Sequence, residues 1–299
     1  MTKTSRATNF PLRRIFAISL PAALGIVGWL FLAVGGDRVA ASDASDPNTD
    51  SVRIVEPIPP PDTTAPPRPL FLPWAGERID YYIALGIIPA GKARLEILDT
   101  TSINGHLTFH ARSTARSAKG YDLIFKVRDT VETWFDADSI YAVRFRKRLQ
   151  EGPYRDEKYV EFDLADSLVR WWDDGERKPD IFVEPRVQDV LSAGFFARTL
   201  PLAVGDTFGI RTHDVNKTYD LMVIVHARET VATLAGTFDS FKVEPVLRSG
   251  GLFKKEKGAR VFVWVTADDR HLLVKMESRV SFGIITAEME SYQPPRAFQ

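Results

Sequence analysis

The chain of 299 residues contains no cysteine. This absence excludes disulfide bonds, thiol catalysis, cysteine-ligated zinc and anchoring through an N-terminal lipidated cysteine. Histidine is also scarce, and of the five histidines only His106 and His110 stand four residues apart. Both fall in a segment of alternating apolar residues, where even spacing means only a shared strand face. We therefore predict no metal site, no cofactor and no catalytic residue set.

The chain also lacks an excess of charge of either sign, with 39 basic and 39 acidic residues. A nucleic-acid-binding protein normally carries a basic excess or a basic stripe. We therefore expect no nucleic-acid partner.

The N-terminus has the pattern of an export signal. Four basic residues precede an almost unbroken apolar run at residues 15–34, and the first acidic residue is Asp37. The run is just long enough to span a membrane as an uncleaved anchor. Alternatively, it is a signal peptide cleaved near Val39-Ala40-Ala41. Both interpretations place residues beyond 42 outside the cytoplasm, in the periplasm, and the first tethers them to the inner membrane.

Composition divides the chain into three parts, which we predict to be a signal or anchor segment (1–41), a linker (42–73) and a single domain (74–293). The linker holds seven prolines between Pro57 and Pro69. Such a segment buries too little apolar surface to offset the entropy of ordering, and proline keeps it extended over at most roughly 100 Å. The linker is thus interpreted as a spacer.

The third part is dominated by a hydrophobic period of two. Ile79, Tyr81, Ile83 and Leu85 share one face, and the pattern recurs in at least six later segments. Turn signals such as Asn104-Gly105 separate these segments. The pattern predicts a mainly β fold, namely an antiparallel, strongly curved sheet or barrel-like domain with one face buried.

One segment departs from this period. Between Pro185 and Pro201, the apolar residues of 187–200 recur near helical spacing. We predict one short helix here, bounded by the two prolines and covering or plugging the sheet.

Four segments, in this order, resemble the bacterial domain of unknown function 3108 family: 76–97, "GERIDYYIALGIIPAGKARLEI"; 125–136, "FKVRDTVETWFD"; 187–208, "VQDVLSAGFFARTLPLAVGDTF"; and 236–291. The resemblance covers nearly all of the predicted domain. It implies an exported, mostly β protein of the cell envelope. It implies no reaction and no catalytic residues.

Three arginines, Arg144, Arg146 and Arg148, alternate along one strand face. They are candidates for binding an anionic lipid head group or an acidic glycan. The alternative is a ladder of salt bridges, because a turn at Gly152-Pro153 would set Arg148 opposite Glu157 and Arg144 opposite Glu161.

Trp171 and Trp172 are candidates for stacking against a sugar, since Asp173 and Asp174 follow them directly. Glycosidases use two carboxyl groups near the bound sugar. However, neighbouring residues of a strand point to opposite faces, and Asp174-Gly175 is a turn signal. The alternative is an ordinary hairpin tip.

Three hypotheses of function follow. The first is a non-enzymatic binding or carrier module whose curved sheet encloses a lipid or another amphiphile. The second is a structural or assembly factor that binds another envelope protein. The third is a glycan-active enzyme that uses dispersed carboxylates such as Asp129, Glu132 or Asp173. An apolar void inside the sheet would favour the first.

Overall fold

A computed structural model describes residues 53–54, 74–249, 252–253, 260–280 and 283–296. The predicted signal or anchor segment and nearly all of the linker lie outside these residues. Within them, no helix has both the length and the apolar character needed to cross a membrane.

The seventeen strands found in the described residues lie in one sheet. Their bounds are β1 Arg53–Ile54, β2 Arg78–Leu85, β3 Ile88–Ile103, β4 His106–Ser117, β5 Arg128–Asp136, β6 Ala142–Glu151, β7 Tyr154–Asp163, β8 Leu168–Asp173, β9 Glu176–Arg177, β10 Ile181–Phe182, β11 Thr207–Asp214, β12 Lys217–Thr233, β13 Gly236–Ser249, β14 Leu252–Phe253, β15 Arg260–Thr266, β16 Leu273–Val280 and β17 Gly283–Gln293.

Two meanders make up this sheet. From β2 to β9, each strand pairs antiparallel with the next. From β11 to β17 the same holds, except that β13 pairs with both β14 and β15. Antiparallel pairing of β17 with β2 joins the two meanders, and β1 lies parallel to β11. The predicted mainly β, antiparallel fold is confirmed, and the sheet is open rather than closed.

The connection between the meanders shows how far the sheet curves. The backbone N–H of Ala142, at the start of β6, donates to the carbonyl of Val187 at 3.0 Å. The next residue, Gln188, donates its N–H to the carbonyl of Arg211 in β11 at 2.9 Å. Two consecutive residues therefore touch strands from opposite ends of the strand order, so the sheet wraps around a concave interior.

The concave face carries the core. In β2, Ile79, Tyr81 and Ile83 are almost fully buried, as the period of two predicts. Phe109 of β4 and Phe135 of β5 have no exposed surface, and their rings lie 5.5 Å apart. These side chains form one core because every second side chain of a strand points to the same face of the sheet.

Among the described residues, two short helices accompany the sheet, α1 at Lys119–Asp122 and α2 at Ser192–Ala197. Helix α2 lies within the predicted range 187–200 but begins later, since the backbone of Gln188 pairs with β11. Asp189 then accepts the N–H groups of Leu191 and Ser192 at 2.7 and 2.9 Å and starts the turn. The sequence did not predict α1.

Candidate functional site

A cavity of about 120 Å³ lies between helix α2 and the concave face of the sheet. Phe195 of α2 fixes the helix in this position, because its ring stacks on Phe135 with centroids 5.0 Å apart. The lining comes from α2 and seven strands: Ile79, Tyr81, Leu95, Leu191, Ala193, Gly194, Phe195, Ala197, Arg198, Leu221, Val223, Val243, Pro245, Val263, Val265, His271, Leu273, Met276 and Ala287.

The lining is almost wholly apolar because these residues are the inward positions of neighbouring strands. An engineered apolar cavity of about 150 Å³ in another protein stays dry and binds benzene. The cavity under α2 is close to that size. It therefore suits a small apolar molecule, or the apolar part of a larger one, rather than water.

Gly194 marks where the cavity meets solvent, because it is exposed while the other lining residues are buried or half-buried. A Cβ built on Gly194 would have no atom within 4 Å. One turn later, Arg198 also lines the cavity. The mouth of the cavity thus lies along one edge of α2, between Gly194, which has no side chain, and the cation Arg198.

The cation at the mouth belongs to a buried polar group. The guanidinium of Arg198 donates to both carboxylate oxygens of Glu77, at 2.6 and 3.0 Å, and its Nε donates to the carbonyl of Arg270 at 2.9 Å. The Tyr292 hydroxyl donates to Glu77 at 3.2 Å, and Nδ1 of His271 lies 2.8 Å from the Arg198 carbonyl. The side chains of Arg198 and Glu77 are only 9% and 5% exposed.

Inside the cavity, the hydroxyl of Tyr81 donates to the carbonyl of Leu273 at 3.0 Å. Burial raises the pKa of Tyr81 above its ordinary value, so the phenol stays neutral. A neutral, already bonded phenol adds no charge to the apolar lining.

A second, polar region lies on the concave face of β5 and β6, away from α2. The carboxyl groups of Asp129 and Glu151 are close neighbours there, and the two residues are 3% and 5% exposed. Burial raises the pKa of Asp129 to about 6. Burial, together with the Asp129 charge, raises the pKa of Glu151 to about 8. At neutral pH the pair therefore holds a proton, as two close carboxyl groups do elsewhere.

Next to this pair, three carboxylates approach one another. One oxygen from each of Asp156, Asp173 and Asp174 lies within 4.8 Å of the others. The ammonium of Lys158 bonds to Asp156 and Asp173, and Lys147 lies 3.9 Å from Asp156. Two lysines thus already offset most of the charge of this cluster, and Asp174 accepts the backbone N–H of Glu157 at 2.9 Å.

The carboxylates of the enzyme hypothesis do not converge. Asp129 and Asp173 share the concave face, whereas Glu132 lies on the convex face. There, Glu132 bonds to Nε2 of His110 at 3.2 Å and lies 3.4 Å from Arg148. The hydrogen bond from His110 lowers the pKa of Glu132.

The three candidate arginines lie together on the convex face, far from the cavity. The register sets Arg144 opposite Glu161 and Arg148 opposite Glu157, as counted from the turn. The contacts differ in part. Arg144 donates to Glu161 at 3.4 Å, as the register suggests. Glu157 accepts a hydrogen bond from Arg146 at 3.0 Å, although Arg148 is the residue opposite it. Each arginine has an acidic neighbour, and the predicted binding of an anion stays a prediction.

Trp171 and Trp172 point to opposite faces. Trp171 packs against the core, and its Nε1 donates to the carbonyl of Pro179 at 3.0 Å. On the convex face, the Trp172 ring lies 5.3 Å from that of Tyr159 and 5.9 Å from the guanidinium of Arg177. The two tryptophans do not form one platform, and neither lines the cavity.

The residues at the cavity mouth, Glu77, Gly194 and Arg198, could not be recognised from the sequence pattern. One signal was present, because Arg198 is a cation within the predicted helical segment, close to Phe195 and Leu200. A charge so close to apolar helix positions needs a partner. That partner lies 121 residues away, so no local pattern identifies it.

Comparison with known proteins supports the assignment from sequence. Residues 78–290 match the family described as "Protein of unknown function (DUF3108)". The chain belongs to this family. The matched range of the DUF3108 domain includes all strands from β2 to β16 and helix α2.

A solved structure from Brucella abortus shares the fold of the DUF3108 domain at low identity. A β-barrel-like protein of the DUF1849 domain from Brucella abortus has a TM-score of 0.53 and 13% identity, covering 75% of this chain and 99% of its own. A protein with a YmcC-like fold from Bacteroides fragilis has a TM-score of 0.33 and 14% identity, covering 75% and 98%. A search of curated proteins gives no match.

Proposed function

We propose that the DUF3108 domain is a non-enzymatic binding or carrier module for a small amphiphile. The apolar part of the ligand occupies the cavity, and its polar group lies at the mouth beside Arg198. The observation that carries this proposal is an apolar void of about 120 Å³ whose lining includes the cation Arg198 and the exposed residue Gly194.

The free energy of such binding is modest. Each buried methylene group contributes about 0.8 kcal/mol, so a tail of four methylene groups contributes about 3 kcal/mol. The Arg198 guanidinium keeps two N–H groups beyond the three hydrogen bonds described above. These groups favour a hydrogen-bond acceptor on the ligand, such as a hydroxyl or carbonyl oxygen.

We further propose that the domain works outside the cytoplasm, held near the inner membrane if residues 15–34 remain attached. The basic residues before the apolar run and the proline-rich spacer support this location. A spacer would leave the domain free to meet its ligand at or near the bilayer.

The test measures binding of benzene and n-hexanol to the purified full chain by calorimetry and by the shift in melting temperature. A ligand that binds only the native state raises the melting temperature. We expect both probes to bind, and hexanol to bind more tightly because its hydroxyl meets the polar mouth.

Gly194→Phe tests the site, because the new ring would lie at the mouth without a backbone clash. Gly120→Phe is the matched control, since Gly120 lies in helix α1 with equally open surroundings and does not line the cavity. Binding that is lost in the first variant and kept in the second supports the proposal. No binding by the natural chain, or equal binding by both variants, rejects it.

A further inference from the structure

Large apolar side chains are exposed mainly at one end of the sheet. Strand registers place the β2–β3 turn, the β4–β5 loop, the β6–β7 turn and the start of β17 at this end. Nine large apolar side chains are exposed in the described part of the chain, and six of them lie here: Ile87, Ile88, Leu123, Ile124, Tyr154 and Ile284. We call these six residues the apolar end.

Backbone hydrogen bonds join these turns into one arc. The N–H of Gly86 donates to the carbonyl of Ile284 at 2.9 Å, next to Ile87. The N–H of Ala118 donates to Ala90 at 2.9 Å, which ties the β4–β5 loop to the start of β3. The same loop is tied to the β6–β7 turn by a bond of 2.8 Å from Gly152 to Lys126. The apolar side chains are therefore neighbours along one rim.

Two side chains of the apolar end are almost completely exposed to solvent. Ile87 is 98% exposed and Leu123 is 90% exposed, each with an exposed apolar neighbour in the chain. Soluble proteins rarely leave such contiguous apolar groups in water unless the groups bind something. The three other exposed apolar side chains, Phe182, Val204 and Leu234, lie at or near the opposite end, on separate segments.

Cations accompany the apolar end. Arg116, Lys119 and Lys126 are exposed, and none of them forms a salt bridge to another residue that the structure describes. Asp122 is the acidic residue in this stretch, and it is bound to Arg128 at 2.6 Å. Apolar tips flanked by cations without a salt bridge complement an anionic lipid surface, where the tips enter the acyl boundary and the cations meet phosphate.

We propose that the apolar end docks on an anionic lipid bilayer, with Ile87, Ile88, Leu123 and Ile124 inserted at the interface. The arc suits a bilayer better than a protein partner because its side chains stand on separate turn tips rather than on one flat face. This docking is independent of the cavity, whose mouth lies at α2.

The absence of cysteine gives a clean test, since one introduced thiol can be labelled uniquely. In Ile87→Cys and Leu123→Cys variants of the full chain, the new thiol carries an environment-sensitive fluorophore. The labelled proteins are mixed with vesicles of phosphatidylcholine and phosphatidylglycerol that contain a nitroxide-labelled lipid. Leu234→Cys is the matched control, because Leu234 is 59% exposed on a turn at the opposite end. Unchanged urea midpoints verify that the labelled chains are folded.

We expect blue-shifted emission and nitroxide quenching at positions 87 and 123, and neither at position 234. Lys119→Gln and Lys126→Gln should each weaken this contact about fivefold, since a basic residue near an anionic surface contributes about that factor. Equal quenching at both ends, or none at position 87, overturns the proposal. An emission shift without lipid that grows with protein concentration also overturns it, because the apolar end would then bind protein.

Discussion

Replacement of Glu77 by glutamine should show how strongly the buried ion pair at the cavity mouth stabilises the domain. Glu77→Gln keeps the shape of the side chain but removes its charge, leaving the Arg198 cation, 9% exposed, without a counter-ion. Two charge-assisted hydrogen bonds of 2.6 and 3.0 Å are lost or weakened. Breaking one side of a buried pair typically costs about 3–5 kcal/mol.

For a domain of this size, each kcal/mol lowers the melting temperature by about 2–4 °C, so the loss should be roughly 6–20 °C. Urea and thermal unfolding of the full chain measure it. The matched control is Asp239→Asn, which removes one partner of the exposed pair with Arg228 and should leave the urea midpoint unchanged. If Glu77→Gln unfolds at the same midpoint as the natural chain, the ion pair does not stabilise the fold.

Two further predictions concern the interior. Burial raises the pKa values of both Asp129 and Glu151, so the native pair keeps protons that the unfolded chain loses above about pH 4.5. Stability should therefore be greatest on the acid side and fall towards pH 8, by up to about 1.4 kcal/mol per pH unit for each proton that the native pair retains. Glu151→Gln should reduce the pH dependence of the urea midpoint over about pH 5–8, and an unchanged dependence in this variant would contradict the assignment. Phe135→Ala should lower the free energy of unfolding in urea by about 3–5 kcal/mol, because the ring has no exposed surface. It should also increase amide hydrogen exchange in α2, because the ring packs against Phe195. Unchanged exchange would show that other contacts hold the helix.

The strands could be predicted from sequence because their signal is local. Alternation along β2 fixes which side chains turn inward, whatever the neighbouring strands are. The register of β6 and β7 was also readable, since counting back from Gly152-Pro153 sets Arg144 opposite Glu161. The contacts within that ladder were less predictable. Arg148 lies near Glu132 of β5, a third strand whose position the hairpin does not encode.

The start of helix α2 and the cavity depend on distant parts of the chain. Apolar spacing and Pro185 suggested a helix from residue 187, but Gln188 instead pairs with β11 and its side chain donates to the carbonyl of Ile140. The cavity forms only when seven strands assemble around one helix. The alternating sequence pattern predicts that such a sheet has an apolar face. Only the folded structure shows that the side chains on this face leave a cavity between them.

The pairing of β17 with β2 has a consequence for biogenesis. Tyr81 lies opposite Met289, more than 200 positions later in the chain. Until the final strand has been synthesised, the first long strand lacks a neighbour on one side, and the two meanders are not joined. The domain can therefore complete its fold only after β17 has been synthesised. A chain interrupted before that point would leave one edge of β2 without its hydrogen-bonding partner.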